Sequence, residues 1–144
     1  MSMVGCIAMP KTVVLIDGGY HSKISKHFGN GGFYKHDLNQ FAITLAKKQG
    51  LWCEGVYYYT APPFQGVPPE AGDLKKYTKY KSFVYSLRKI PNFTVREGRC
   101  QRINGEHIQK GVDTLLTMDL MTLGQHQEIN TIVLLACDTD FVPI

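Results

Sequence analysis

Apolar positions along the chain alternate between short continuous runs and stripes at helical spacing. Lys11–Asp17 (KTVVLID) is a β-branched apolar run ending in Asp and two glycines, the pattern of a strand buried on both faces and closed by a tight turn. The glycines of residues 29–32 (GNGG) mark a flexible loop, outside the strand-to-helix register that a dinucleotide fingerprint requires. Asp37 caps a helix with Gln40 three residues on, and Leu38, Phe41, Ala42, Leu45 and Ala46 share one face until Gly50 ends it. Residues 51–60 (LWCEGVYYYT) predict a second strand. The following stretch, 61–72, carries four of the seven prolines and reads as a long loop able to flap over a site.

Residues 73–90 predict a helix with Leu74, Tyr77, Val84 and Leu87 on one face and lysines on the other, stopped by Pro91. Residues 93–103 predict a third strand interrupted by Gly98, with Asn104 and Gly105 as a turn. A helix over residues 112–123, closed by Gly124, precedes a fully apolar fourth strand at residues 131–137 (TIVLLAC). Strands alternating with helices imply right-handed crossovers, a mainly parallel central sheet and an α/β fold of three layers, α/β/α. Residues 1–10 read as an extension, with Met9 a candidate start, and residues 11–144 as one domain. Ending just after the fourth strand, the domain is expected to be a fragment or an unusually small version. A helix and a strand are expected to be missing from its C-terminal side, and an under-covered sheet face favours a homodimer or other self-association.

Composition narrows the classes. At 144 residues and 44% hydrophobic, the chain can bury one core, and no apolar run reaches the roughly 18 residues of a membrane helix. Cys6, Cys53, Cys100 and Cys137 form no CxxC pair and read as reduced thiols, which points to the cytoplasm. The five histidines lack ligand spacing and read as surface or packing residues, His21 least securely because it follows Asp17 closely. Formal charge is only +4, but its distribution is uneven: Lys75, Lys76, Lys79, Lys81, Arg88 and Lys89 cluster, and Arg96, Arg99, Arg102 and Lys110 follow. A basic middle suits a polyanion, although from charge alone a solvated helix face is the preferred reading.

Five of the seven aspartates sit in three motifs, VLIDGGY (Asp17), KGVDTLLTMDL (Asp113, Asp119) and LLACDTDF (Asp138, Asp140). In a parallel sheet all strands end at one edge, and the helices that follow them begin there, so Asp17, Asp113, Asp138 and Asp140 are expected to converge. Asp119 lies about 9 Å further along its helix, inside the apolar stripe, and needs a partner there. It ranks behind the other four. Crowded carboxylates require a neutraliser. Oxygen donors without ligand-spaced Cys or His suit Mg²⁺ or Mn²⁺, which would activate water for phosphodiester hydrolysis. Taken singly, each Asp reads as a helix cap or turn residue.

On these three motifs, in this order, the chain resembles the NYN domains, a branch of the PIN-like metal-dependent ribonucleases; LLACDTDFVPI is the most specific of them. The resemblance implies a PIN-like domain with an RNA substrate, Asp17, Asp113, Asp138 and Asp140 as metal-binding catalytic residues, and Lys110, Gly111 and Asp119 in the accompanying pattern. Lys110, Tyr20 and Thr139 beside the acidic motifs, with Lys76, Lys79, Tyr80, Arg99 and Arg102 in the basic region, are the candidate substrate contacts. Tyr80 could stack an unpaired base or pack its helix on the sheet. A catalytically weak RNA-binding or regulatory module is the alternative. A phosphatase would want Asp where Gly19 stands, and a phospho-receiver an acidic residue where Ile16 stands.

Overall fold

The computed structural model describes residues 9–138 and 141–143. Six strands and four helices run through the described residues in the order β1 (Lys11–Asp17), α1 (Gly18–Phe28), α2 (Leu38–Lys48), β2 (Cys53–Thr60), α3 (Ala71–Arg88), β3 (Phe93–Glu97), β4 (Arg99–Ile103), β5 (Glu106–Lys110), α4 (Val112–Gly124) and β6 (Ile129–Leu135). The main sheet has the order β3-β2-β1-β6 with every neighbouring pair parallel, and β4 and β5 form a separate antiparallel hairpin.

The continuous apolar character of β1 follows from its position in the middle of the sheet. Val14 and Ile16 face a core built with Leu38, Ala42 and Ala46 of α2 and Val84 and Leu87 of α3. Val13 and Leu15 face the opposite core, where Val112 and Leu116 of α4 pack with Tyr59. Helices thus cover both faces, as the α/β reading requires. Burying each of these Val, Leu and Ile side chains contributes roughly 1.5–3 kcal/mol. Among the described residues no helix is long and apolar enough to cross a membrane.

Two stretches depart from the sequence reading. The glycines after Asp17 begin a helix rather than a tight turn: the Asp17 side chain accepts from the backbone N–H groups of Gly19 and Tyr20 at 2.9 and 3.3 Å and caps α1. Gly18 is required by crowding, since a Cβ there would lie 2.6 Å from the Tyr59 carbonyl oxygen. The expected third strand divides at Gly98. β3 joins the sheet beside β2, while β4 turns away and pairs with β5 through Asn104 and Gly105, both at positive φ, the geometry of a tight two-residue hairpin turn. Asp37 behaves as expected, its carboxylate accepting from the Gln40 N–H at 2.9 Å to start α2.

Gly18→Ala is expected to destabilise the protein by about 1–3 kcal/mol, because the added methyl meets β2 backbone that cannot swing aside. A urea-unfolding midpoint equal to wild type would show that α1 can move off β2 at no cost.

Candidate active site

β1 is flanked by β2 on one side and β6 on the other, so the chain moves outward from β1 through β2 to β3 and then crosses back to β6. In an open parallel sheet, the reversal leaves a crevice at the carboxyl ends of the two strands between which the order changes. A cavity of about 830 Å³ occupies that place, and Asp17, Asp113 and Asp138 all line it. Asp17 ends β1, Asp138 follows β6, and Asp113 stands in the first turn of α4, where the helix dipole favours a carboxylate. Gly111, at φ 80°, makes the turn from β5 into that helix. Asp140 and Thr139, expected at the same site, lie outside the described residues.

The carboxylate of Asp17 is oriented by its own helix cap. Its negative charge adds to burial in raising the Tyr58 phenol to about 12, so Tyr58 stays protonated beside the site. Tyr20, also expected here, lines the cavity. Four further lining residues escaped the sequence reading: Lys23 of α1, His107 and Gln109 of β5, and Cys137 after β6. Once Asn104-Gly105 is read as a hairpin turn, residues 107 and 109 share one face of β5 by simple alternation. His107 also stacks on Phe64 of the proline-rich loop, with centroids 5.1 Å apart and planes at 26°, so that loop touches the hairpin.

The remaining candidates are placed elsewhere. Arg102 lies directly across the hairpin from His107 and shares its face, whereas Arg99 and Lys110 pair with each other on the opposite face. Lys76 and Lys79 are exposed on α3, outside the cavity. Tyr80 is half-buried and donates to Glu97 at 2.8 Å; burial and the Glu97 carboxylate push its phenol well above the usual range. The same Glu97 receives Arg88 at 2.6 Å, so the aromatic and basic groups of this helix are partly occupied with each other.

Asp119, partly buried, has the partners its position requires. Arg96 donates to it through Nε and Nη2 at 2.9 and 3.1 Å, and the Tyr59 hydroxyl donates at 3.0 Å. Burial and the Asp119 charge hold the Tyr59 phenol far above its ordinary range. Both oxygens of Asp119 are therefore engaged in joining α4 to β2 and β3.

Among the described residues, no three His, Cys, Asp or Glu side chains cluster tightly enough to hold a metal ion between them. In kind, however, the donors lining the cavity fit Mg²⁺ or Mn²⁺: these ions accept one or two carboxylates and keep several waters. Compared with models of protein families, with curated proteins and with solved structures, the chain matches none.

A second titratable pair lies on the other side of α1. His36 Nδ1 is 2.9 Å from the Tyr34 carbonyl, which can only accept, so Nδ1 carries the proton and Nε2 is the acceptor. His21 Nε2, 2.9 Å from that acceptor, must then donate. Burial first, and His36 second, lower His21 to about 4.

Two outcomes follow. Asp119→Asn should lose about 1–2 kcal/mol of stability by weakening the Arg96 pair, with partial exposure of Arg96 limiting the loss; unchanged thermal unfolding would mean the pair contributes nothing. For His21, the unfolded chain takes up a proton near pH 6.5 and the folded one only near 4. Stability should fall as pH drops through that window, by on the order of 2–3 kcal/mol, and level off below it. His21→Gln should flatten the curve, and parallel curves for both proteins would refute the assignment.

Proposed function

We propose that the protein is a cytoplasmic metal-dependent ribonuclease of the PIN-like kind, hydrolysing RNA phosphodiester bonds with Mg²⁺ or Mn²⁺ at the cavity lined by Asp17, Asp113 and Asp138, the motif likeness adding Asp140 to the ligand set. One observation carries this reading: three carboxylates from three separate motifs, Asp17 far in sequence from Asp113 and Asp138, line a single cavity at the point where the strand order reverses. The likeness of the same motifs to NYN domains supports RNA as the polymer.

A divalent ion held there would lower the pKa of a bound water and stabilise the departing oxygen. The chain's own groups would do the rest. The cap on α1 fixes the orientation of Asp17, Lys23 supplies a positive charge for a phosphate, and Gln109 offers amide hydrogen bonds next to Gly19. The exposed His107 and Arg102 on one face of the hairpin place two further nitrogen donors beside an incoming strand. Any self-association would form at β6, an edge of the sheet whose Ile132, Val133, Leu134 and Leu135 are only partly buried.

The lack of a tight three-ligand cluster among the described residues favours one alternative, an RNA-binding module without catalysis. A labelled RNA incubated with Mn²⁺ or Mg²⁺ decides between them. The nuclease reading expects cleavage that EDTA abolishes and that Asp113→Asn and Asp138→Asn each reduce by about a hundredfold or more, with RNA affinity kept. RNA binding without metal-stimulated cleavage, equal in wild type and variants, selects the binding module.

A further inference from the structure

The stretch from Gly18 to His36 (GGYHSKISKHFGNGGFYKH) contains Lys23, Lys26 and Lys35 and no Asp or Glu. It also places three aromatic rings in water: Phe28, Phe33 and Tyr34 are 72%, 64% and 60% exposed. Large apolar side chains held at the surface in one short segment are a feature that folding alone does not explain. The ring of Phe33 has the Lys26 ammonium 5.0 Å from its centre, so charge and aromatic surface are already joined here.

Phe28 and Tyr34 border a cavity of about 660 Å³ between α1 and α2, lined also by Phe41, Asp37 and the His21–His36 pair. Its size lies in the range of small-ligand sites, and its walls are planar rings above a hydrogen-bonding floor. At neutral pH the floor is uncharged at His21, because burial lowers that group. The cavity therefore presents stacking surface and polar edges, its one lining carboxylate, Asp37, being taken up as the cap of α2, while Lys26 and Lys35 of the same segment lie outside the lining. An unpaired nucleobase with its phosphate matches that distribution: the base has two π-faces and a hydrogen-bonding edge, and the phosphate complements the lysines.

The second helix face ties this groove to the carboxylate cavity. Gly19, Tyr20 and Lys23 line the carboxylate cavity, whereas His21, Ile24, Ser25 and Phe28 line the aromatic one. At about 100° per residue these sets fall on adjoining sectors of α1. The two cavities therefore lie on neighbouring sides of α1.

We propose that the groove between α1 and α2 binds unpaired bases of a single RNA strand by stacking on Phe28 and Tyr34, with Lys23, Lys26 and Lys35 holding the phosphates that lead across α1 toward Asp17. The proposal rests on the RNA reading above but not on catalysis. A duplex keeps its bases stacked on each other and cannot fill the groove.

Fluorescence anisotropy in EDTA tests it, using a labelled oligouridylate of about 12 nucleotides and a duplex of the same length. The single strand should bind at least about tenfold more tightly than the duplex. The double variant Phe28→Ala with Tyr34→Ala should bind the strand about tenfold or more weakly with an unchanged salt slope, since no charge is removed. Phe28→Tyr with Tyr34→Phe should restore binding. Circular dichroism of the alanine variant should match wild type, because both rings are largely exposed. The groove is overturned if wild type does not bind the strand, if the alanine variant binds within about twofold of wild type, or if the duplex binds as tightly as the single strand. Metal-dependent cleavage is scored separately. Cleavage with groove-independent binding sinks the groove and leaves the nuclease, and groove-dependent binding without cleavage sinks the nuclease and leaves the groove.

Discussion

Asp17 ends the central strand and caps the helix that follows, and this double attachment organises everything at the carboxyl edge of the sheet. A carboxylate that only terminated a strand would be one rotamer among several. By accepting from the backbone N–H groups of Gly19 and Tyr20, Asp17 is held in one orientation, and α1 is anchored at the mouth of the cavity that Asp17 lines. The close approach of Gly18 to Tyr59 sets α1 tightly against β2. One residue therefore determines the direction of a helix whose two adjoining sectors wall two cavities.

The acidic groups divide by what surrounds them. Asp119, drawn into the interface of α4 with β2 and β3, is neutralised by Arg96 and Tyr59, and Glu97 by Arg88 and Tyr80. These pairs tie helices to the sheet in local charge balance. Asp17, Asp113 and Asp138 instead line one cavity together with Lys23.

The elements of the main sheet were legible because each carries its own periodicity. β1, β2 and β6 are apolar runs, α2 has a cap and a stripe, and the parallel order follows from their alternation. The misses have a common cause: glycine was read by its local propensity where tertiary contact decides. Gly18 and Gly19 look like a turn, yet the Asp17 cap and the packing on β2 carry them into a helix. Gly98 looks like an irregularity inside one strand. It is the point where the chain passes so close to Lys110 and Val112 that a Cβ would meet the Lys110 carbonyl oxygen at 2.6 Å, and the strand divides to send a hairpin toward the site. His107 and Gln109 could not be assigned before that hairpin was known.

Convergence of the three acidic motifs could be foreseen from topology alone, because a parallel sheet brings every strand's end to one edge whatever the sequence separation. Placement of the basic residues could not, because helical lysines take their position from which face the helix buries. α3 presents Val84 and Leu87 to the sheet on the side opposite α4, which leaves Lys76 and Lys79 on the outer surface of that layer, away from the cavity. The positive charge that does reach the cavity comes from α1, a helix the sequence pattern concealed. Two lysines of α1 and Lys35 after it, with no acid between Asp17 and Asp37, lie alongside four aromatic side chains in the same stretch. In this fold the short connection after β1 thus carries both the cap that orients a carboxylate and the lysine that lines the same cavity.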